Sequence, residues 1–447
     1  MKTSYVPSVL FVVLCLGMMV PSARADDLFV VELFPLVDEH AHGATIVELP
    51  NGDLLAAWFQ GSGERWADDV EILGARLKPG EREWSEPFLM ADVPAFPDIN
   101  PVLFLDARDT LWLVWYTVIA NQWETSLLRY RVSSNYDQDG APEWEWQDVI
   151  LAKPGDKTER GIQPDDRFVR SVERQVQEYR EVLLESGASQ DMVQRWEEWR
   201  DRLLQKARGE DMVRRGYLYD EQGGRTDAQL GYPYFRRMGW QTKNKPVQLE
   251  SGRIILPLYS DGFSFSLMAI TDDFGEHWTF SEPLVAPGNI QPTIAQQSNG
   301  TLVAYMRDNG PPPKRLQVSQ STNNGDSWST VRDSDIANSG AGSDIVTLEN
   351  GHWVLANNDV PSGRYRLAIS VSTDEGKTWE AKRYLEYDRR EASVATRFAY
   401  PSIIQGDDGA LHVIYSVHHR DRDGANETIK YARFMEEWIW QGSEAQE

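Results

Sequence analysis

Cysteine is almost absent from this chain of 447 residues, whose one cysteine, Cys15, lies near the start. Residues 1–25 have the pattern of a secretory signal, with Lys2 ahead of an apolar core and Ala23-Arg-Ala25 at the predicted cleavage site. Cleavage there removes Cys15, which excludes disulfides, a thiol nucleophile and metal sites built from cysteine. We therefore expect residues 26–447 to form a secreted or periplasmic protein that is held together by its core.

Long apolar runs and an excess of positive charge are also missing. No stretch after residue 25 is long and apolar enough for a helix that crosses a membrane, so we expect no membrane span. The 69 acidic residues outnumber the 45 basic ones and give a net charge of −24, which repels nucleic acid and anionic membranes. We therefore expect no nucleic-acid partner, and an anionic substrate would need a local cluster of arginines.

The sequence fingerprints of cofactor enzymes are absent as well. The chain has no nucleophile-elbow sequence, no phosphate-cradling glycine loop and no dinucleotide fingerprint. Two short acidic loops, residues 137–140 and 421–424, lack the glutamate that would complete an EF-hand calcium loop. We expect neither a cofactor nor a bound metal.

Three near-copies of one turn sequence recur along the chain. They are Thr271-Asp-Asp-Phe-Gly275-Glu-His-Trp278, Ser321-Thr-Asn-Asn-Gly325-Asp-Ser-Trp328 and Ser372-Thr-Asp-Glu-Gly376-Lys-Thr-Trp379. Their glycines lie 50 and 51 residues apart, and a period of this size with a turn at its centre is typical of propellers and solenoids. The acidic or amide side chain can bond the turn backbone, the glycine permits a positive φ, and the tryptophan packs beneath.

A second repeat indicates how many blades the propeller has. A hairpin turn followed by an alternating apolar strand recurs six times, marked by Gly52, Asp109, Gly252, Gly300, Gly351 and Gly409. The gaps between these markers are 57, 143, 48, 51 and 58 residues, so only one is anomalous. The pattern predicts an all-β fold, a six-bladed β-propeller.

The long gap contains a pattern of a different period. From Arg167 to Arg215 apolar residues follow helical spacing in two stripes: Val172, Val176, Tyr179 and Leu183, then Met192, Trp196, Trp199 and Leu203. Residues 186–189 interrupt the pattern, and Ser189 is suited to cap the second helix. We predict a mainly helical insertion over residues 160–230, a helical hairpin between the second and third blades. It would act either as a lid over the propeller mouth or as a buttress on its rim.

The three turns resemble the Asp-boxes of the sialidase superfamily, and the resemblance extends over nearly all of residues 26–447 outside the insertion. In that family three arginines bind a sugar carboxylate, a glutamate activates a tyrosine nucleophile, and an aspartate near the first blade acts as acid/base. The resemblance implies a secreted exo-acting glycoside hydrolase whose substrate is a terminal, acidic sugar of a glycan or polysaccharide.

The resemblance also assigns roles to individual residues. Residues 398–415, which begin Phe-Ala-Tyr-Pro, are similar to the nucleophile strand and place Tyr400 at the nucleophile position. Residues 364–374 are similar to a segment with one of the arginines, here Arg364, although Arg366 lies close enough to take the same role. Gln291-Pro292 and Arg307, 16 residues after Gln291, match the family's spacing from Glu-Pro to a second arginine.

Two positions depart from the family pattern. The family's first arginine precedes the first hairpin turn, and the corresponding position here is His42. The glutamate that would deprotonate the tyrosine corresponds to Gln291, which cannot act as a base but remains a candidate for substrate contact. A tyrosine without a base keeps a pKa near ~10 and is a poor nucleophile at neutral pH.

The two replacements leave room for a different reaction. A neutral His42 near Tyr400 could remove the proton beside the carboxylate of a uronic acid, because histidine titrates at a useful pH. Arg307 and Arg364 would then stabilise the charge of the enolate. This alternative is a polysaccharide lyase that acts on uronic-acid glycans. His42 could instead be a satisfied core histidine or a metal ligand paired with His40.

Carboxylates suited to acid/base catalysis occur in several loops. Glu64, Asp68 and Asp69 lie near the acid/base position that the resemblance implies, and any of them could also be a solvated loop charge. Asp261 and Asp308 each follow a strand-like run and are further candidates for catalysis or substrate contact. A third class of function is a propeller that binds glycans without catalysis, because the base for the tyrosine is missing.

Overall fold

The computed structural model describes residues 28–152, 154–155, 166–208 and 238–442. Six antiparallel sheets of four or five strands make up most of this part of the chain. The inner strand of each sheet contacts the inner region of the next sheet, and the series closes into a ring. The prediction of an all-β six-bladed propeller is therefore confirmed, while the predicted signal peptide, residues 1–25, lies outside the described residues.

The first two blades precede the insertion. The described chain begins with β1 (Phe29–Glu32), which belongs to the last blade. The first blade contains β2 (His40–Glu48), β3 (Leu54–Gly61), β4 (Glu71–Leu77) and β5 (Phe88–Ala91). The second contains β6 (Asp98–Leu105), β7 (Leu111–Val118), β8 (Ser126–Ser133) and β9 (Trp146–Val149).

The third and fourth blades follow the insertion. The inner strand of the third blade is interrupted, so its strands are β10 (Gln241–Thr242), β11 (Val247–Gln248), β12 (Ile254–Ser260), β13 (Phe265–Thr271) and β14 (Thr279–Phe280). The fourth blade contains β15 (Asn289–Gln296), β16 (Leu302–Asp308), β17 (Arg315–Ser321) and β18 (Arg332–Ala337).

The last two blades close the ring. The fifth contains β19 (Asp344–Thr347), β20 (Trp353–Asn357), β21 (Arg366–Ser372) and β22 (Ala381–Tyr387). The sixth contains β23 (Arg397–Gln405), β24 (Leu411–His418) and β25 (Glu427–Phe434), and its outer strand is β1, paired antiparallel with β25. Because strands from both ends of the described chain share one sheet, backbone hydrogen bonds hold the ring closed.

The turn markers identified from sequence have the backbone conformation that they were expected to have. All six hairpin markers, including the non-glycine Asp109, have φ between 57° and 89°. The Asp-box glycines also have positive φ and lie against the preceding blade. A Cβ atom at Gly275 would lie 2.6 Å from Trp112, one at Gly325 would lie 2.9 Å from Ile255, and either contact is too close for a larger residue. The Asp-boxes therefore fasten neighbouring blades together.

The insertion lies between the second and third blades, as predicted. Its described part contains α1 (Arg167–Glu185) and α2 (Gln190–Arg208), and Ser189 accepts a hydrogen bond from the Met192 backbone. The predicted helical residues 209–215, and the predicted insertion residues 160–165 and 209–230, lie outside the described residues. No helix in the described part of the chain is long and apolar enough to cross a membrane.

The helices pack against the side of the third blade. Val172, Val176 and Tyr179 of the apolar stripe of α1 are buried, and Phe168 contacts the rings of Phe263 and Phe265 at centroid distances of 5.5 and 6.1 Å. The Gln175 side chain bonds the backbone of Pro283 and Val285 in the same blade. No residue of α1 or α2 lines the axial cavity described below. These two helices therefore lie on the side of the propeller, away from the cavity. A short helix, α3 (Glu436–Gly442), follows the last strand.

Candidate active site

A cavity of about 440 Å³ opens where the inner strands of the blades converge, and residues from all six blades line it. Seven residues singled out from the sequence take part in its lining: His42, Glu64, Asp261, Gln291, Arg307, Arg364 and Tyr400. The other three candidates do not line it: Asp68, Asp69 and Asp308. Residues spread over more than 350 positions of sequence thus meet at one place on the propeller axis.

Four inner strands contain a β-bulge where they reach the cavity. The register of pairing shifts in β2, β6, β15 and β23. One residue in each bulge has a positive φ, and these residues are Gly43 (67°), Asn100 (49°), Gln291 (53°) and Tyr400 (53°). Bulges redirect side chains, and a left-handed backbone at a residue other than glycine is most common where function requires it. The three larger residues all line the cavity.

The hydroxyl of Tyr400 receives two hydrogen bonds from the protein. Gln291 Nε2 donates to it over 2.9 Å, and Arg307 Nη1 donates over 3.1 Å. Arg307 Nη1 also lies 3.2 Å from Gln291 Oε1, which fixes the orientation of the amide. Gln291 thus contacts the tyrosine from the position where the resemblance implies a glutamate, but it contributes a donor instead of a base.

Three arginines line the cavity, and two of them were singled out from the sequence. The Arg364 guanidinium lies 5.3 Å from the centre of the Tyr400 ring, and Arg397 begins the strand that contains Tyr400. Burial, together with repulsion by Arg307 and Arg397, lowers the pKa of Arg364 to about 10. Within the described residues none of the three forms an ion pair with a carboxylate. Arg366, by contrast, pairs with Asp359 over 2.7 Å, which leaves Arg364 as the arginine of this segment that lines the cavity.

The imidazole of His42 packs against the ring of Tyr400. Its ring centroid is 4.3 Å from that of Tyr400, at an interplanar angle of 33°. Burial is the largest influence on this imidazole, and the nearby His40 and Arg364 add to it, so the pKa of His42 falls well below 6.5. His42 is therefore neutral at neutral pH.

A buried lysine that sequence reasoning missed supports the floor of the cavity. Lys243 Nζ lies 5.6 Å from the centre of the Tyr400 ring and donates to the Pro401 carbonyl over 2.6 Å. Burial lowers the pKa of Lys243 to about 7, although the Asp344 carboxylate opposes that shift. Lys243 lies in the interruption between β10 and β11, and no repeat marks that position in the sequence.

Two of the predicted carboxylates reach the cavity. Glu64 lies in the loop between β3 and β4, where the neighbouring Arg65 is stacked between Trp66 and Trp123 at 4.6 and 4.9 Å. Asp261 follows β12, and burial raises its pKa to about 6 in spite of the attraction of Arg307. A carboxyl group with such a pKa can hold a proton at mildly acidic pH.

The remaining predicted carboxylates lie outside the cavity lining. Asp69 accepts hydrogen bonds from the Ser62 backbone and hydroxyl at 3.1 and 2.8 Å, and Asp68 is exposed to solvent. Asp308 is buried and accepts from the backbone of Gly310 at 2.7 Å and of Arg315 at 3.2 Å. Burial raises the pKa of Asp308 to about 6 as well, away from the cavity lining.

Sequence reasoning also missed a group of polar residues opposite Tyr400. Asn100 Nδ2 lies 3.1 Å from the Tyr116 hydroxyl and 3.4 Å from the Tyr259 hydroxyl. The Tyr259 hydroxyl in turn lies 3.4 Å from Gln291 Nε2. One sequence signal could have identified Asn100, because Asn-Pro at 100–101 stands in its strand where Gln-Pro and Tyr-Pro stand in theirs.

Solved structures with the same fold include several sialidases. The NanB sialidase of Streptococcus pneumoniae aligns with a TM-score of 0.60 and 11% identity over 91% of this chain and 70% of its own. The sialidase of Trypanosoma rangeli aligns with a TM-score of 0.57 and 13% identity over 94% of this chain and 61% of its own. A Dyadobacter fermentans protein of unknown function aligns with a TM-score of 0.58 and 13% identity over 91% of this chain and 97% of its own. At such identities these similarities concern the fold.

Sequence comparison gives a narrower result. Among curated proteins, none matches the chain. The family model of the BNR repeat-like domain matches residues 52–158 and 232–413, which include all three Asp-box turns and all six hairpin markers. The match covers well over half of the chain and is interrupted at the helical insertion. The chain therefore belongs to the BNR repeat-like domain family.

Proposed function

We propose that this protein is an exported glycoside hydrolase that acts on a terminal sugar with a carboxylate, and that Tyr400 is its nucleophile. The observation that carries the proposal is the Tyr400 hydroxyl, which receives hydrogen bonds from Arg307 and Gln291 within a cavity that contains three arginines. Sialidases among the structural neighbours support the same class of substrate.

The arginines would bind the carboxylate of the sugar. Arg307 contacts the Tyr400 hydroxyl and Arg364 lies near the Tyr400 ring, and both lack a carboxylate partner among the described residues. A guanidinium recognises a carboxylate through two parallel hydrogen bonds, and the low dielectric of a cavity strengthens them. In a chain with a net charge of −24, such unpaired cations provide the local attraction that an anionic sugar needs.

In the proposed hydrolysis Tyr400 would be the nucleophile and Glu64 the general acid and base. As the Tyr400 hydroxyl releases its proton to a water molecule in the cavity, its oxygen would attack the anomeric carbon, and the donors from Arg307 and Gln291 would stabilise the negative charge on that oxygen. Glu64 would protonate the leaving oxygen and later deprotonate the water that releases the sugar from Tyr400. Because the anomeric carbon is attacked twice, the released sugar would keep its original configuration.

One observation favours a second function, elimination from a uronic-acid glycan. His42 is neutral at neutral pH and lies 4.3 Å from the Tyr400 ring, while Gln291 supplies no base to the tyrosine. In this reaction His42 would remove the proton next to the sugar carboxylate, and Arg307 and Arg364 would stabilise the resulting negative charge. The glycosidic oxygen on the adjacent carbon would then leave with a proton from the Tyr400 hydroxyl, and a double bond would form in the sugar.

The variant Gln291→Glu distinguishes the two reactions. It places a carboxylate next to the Tyr400 hydroxyl, where it can accept the phenolic proton more readily than water, so we expect release of free sugar to rise by roughly tenfold or more. Elimination should instead slow down, because a new negative charge repels the substrate carboxylate. The assay presents sialosides and uronate-containing polysaccharides and records free sugar and the absorbance of unsaturated product together. Gln147→Glu, on an exposed strand, is the matched control.

The possible results separate the function classes. Free sugar that rises in Gln291→Glu and not in Gln147→Glu supports hydrolysis through Tyr400. Unsaturated product without free sugar indicates elimination, in which His42 would be the base, and contradicts the hydrolase proposal. Binding to glycans without either product, in the natural sequence and in Gln291→Glu, identifies a non-catalytic glycan-binding propeller.

A further inference from the structure

A buried carboxylate links two histidines at one corner of the cavity. Glu427 Oε1 lies 3.1 Å from His40 Nδ1 and 2.6 Å from His418 Nδ1. Its other oxygen accepts a hydrogen bond from the Ala41 backbone over 3.2 Å. Glu427 is only 7% exposed, and all three side chains line the cavity. The arrangement joins β2, β24 and β25, and the proposed hydrolysis uses none of it.

The bonds to Glu427 determine which nitrogen of each histidine is available. A carboxylate can only accept, so each Nδ1 holds a hydrogen and each Nε2 is left for other partners. No residue in the described part of the chain makes a hydrogen bond to either Nε2. Burial disfavours the charge on Glu427, but the bonds from both histidines outweigh it and lower the pKa of Glu427 to about 2. The carboxylate therefore stays ionised and keeps both rings in one orientation.

Arg397 adds a permanent cation to the same corner. It lies opposite His418 in the pairing of β23 with β24, and it has neither a hydrogen-bond partner nor an ion pair for its guanidinium among the described residues. Burial and the nearby Arg420 lower the pKa of Arg397, as expected for a cation close to like charge. The corner thus presents one guanidinium and two imidazoles from three strands.

The charge of this corner depends on pH. At high pH the charges of Arg397 and Glu427 cancel. Burial lowers the pKa of His40, but the Glu427 carboxylate, helped by Glu64, outweighs burial and the repulsion of Arg397, so the pKa is raised above 6.5. As pH falls through this range His40 becomes an imidazolium and the corner gains a positive charge. His42, whose ring also lies next to that of His40, stays neutral in this range.

We propose that Arg397 and His40, whose ring Glu427 holds in place, form a second anion subsite, which binds a sulfate ester on the same acidic sugar whose carboxylate Arg307 and Arg364 bind. The Arg397 guanidinium and the protonated His40 donate from two strands, which suits the several oxygens of a tetrahedral anion. The assignment of the carboxylate rests on the proposed function, and the sulfate subsite extends it to a doubly anionic sugar.

Inorganic sulfate is the probe, with binding measured by calorimetry at about pH 5.5 and about pH 8.5, on either side of the ordinary histidine range. We expect the affinity to be roughly tenfold higher at the lower pH, the size of one added charged hydrogen bond. Arg397→Met, at a partly exposed position, should weaken sulfate binding at both pH values, and His40→Gln should abolish the dependence on pH. Arg307→Met is the matched control and should keep the dependence.

The outcomes test the subsite separately from the reaction. Loss of sulfate binding in Arg307→Met with full binding in Arg397→Met would overturn the proposal, as would an affinity that does not change with pH. Tighter binding of acetate than of sulfate to the corner would also overturn it, and tighter binding of phosphate would replace the sulfate ester by a phosphate ester. If sugars without sulfate are hydrolysed and Arg397→Met does not change sulfate binding, the proposed function stands and the sulfate subsite is rejected. If His40→Gln fails to fold, Arg397→Met still decides the question.

Discussion

The Asp-box turns and the bulges of the inner strands are both repeated through this propeller, but they differ in what is repeated. In all three Asp-boxes the first hydroxyl accepts from the glycine N–H, at 2.8, 3.0 and 2.8 Å. The acidic or amide oxygen accepts from the backbone four residues later, at 2.9, 3.0 and 2.8 Å. Side chains and hydrogen bonds are therefore repeated together.

In the bulges only the backbone conformation is repeated. Gly43, Asn100, Gln291 and Tyr400 share a positive φ and a shifted register, yet their side chains are a hydrogen, two amides and a phenol. The comparison indicates that a repeated side chain fastens blades, whereas a repeated backbone with varied side chains provides positions for chemistry. Changes in the two regions should consequently affect different measurements.

The largest effect is expected from Tyr400→Phe. Removal of the hydroxyl should lower kcat by about a thousandfold or more, because a nucleophile is lost and the change in volume is small. Tyr305→Phe is the matched control on the Asp-box side, where the hydroxyl donates to the Gly376 carbonyl over 3.3 Å. Kinetics with thermal melting would check both variants. Equal losses of activity in the two would contradict the separation of the regions.

A smaller effect on activity is expected from Glu64→Gln. Loss of the proposed acid/base should lower kcat by roughly 10²–10⁴-fold for a substrate with a poor leaving group, and by less for an activated one. Asp69→Asn, in the same loop, should leave kcat close to that of the natural sequence, because Asp69 bonds Ser62 outside the cavity. Steady-state kinetics on two substrates that differ in their leaving group would measure this loss of kcat. A loss that is the same for both leaving groups would count against Glu64.

The smallest effect on activity, and a clear effect on stability, is expected from Gly325→Ala. The residue has φ of 87° and a Cβ would lie 2.9 Å from Ile255, so unfolding free energy should fall by roughly 1–3 kcal/mol while kcat is unchanged. Gly300→Ala has the same φ of 87° but nothing within 4 Å, so it isolates backbone strain from the clash. Denaturant titration would measure both. An equal loss of unfolding free energy in Gly325→Ala and Gly300→Ala would show that the contact between Gly325 and the neighbouring blade is not tight.

Much of the fold follows from short-range patterns. The positive φ at each hairpin marker comes from local turn chemistry, and the stripe of Val172, Val176 and Tyr179 indicates α1 because helical spacing is a property of neighbouring residues. The pairing of β1 with β25 was not predicted, since a four-residue strand has little pattern and its partner lies some 400 positions away.

The candidate site was predicted only in part. Seven residues carried over by resemblance or strand position line the cavity, and this convergence agrees with the sequence reading without testing their roles. Within one loop, the sequence could not tell Glu64 from Asp68 and Asp69, because the direction of a loop side chain depends on the fold around it. Arg397 was not predicted for the same reason, because only the position of the neighbouring strands shows that its side chain lines the cavity.

By itself the sequence determined the period, the number of blades, the insertion and the turns, because each depends on hydrogen bonds and packing among residues close in the chain. Only the tertiary structure decided which polar groups meet. His40 and Glu427 are 387 positions apart, and their contact exists because closure of the ring brings the first and last blades together. Because of this closure, two histidines of β2 have opposite pKa shifts. Glu427 raises the pKa of His40, while burial and nearby cations lower that of His42.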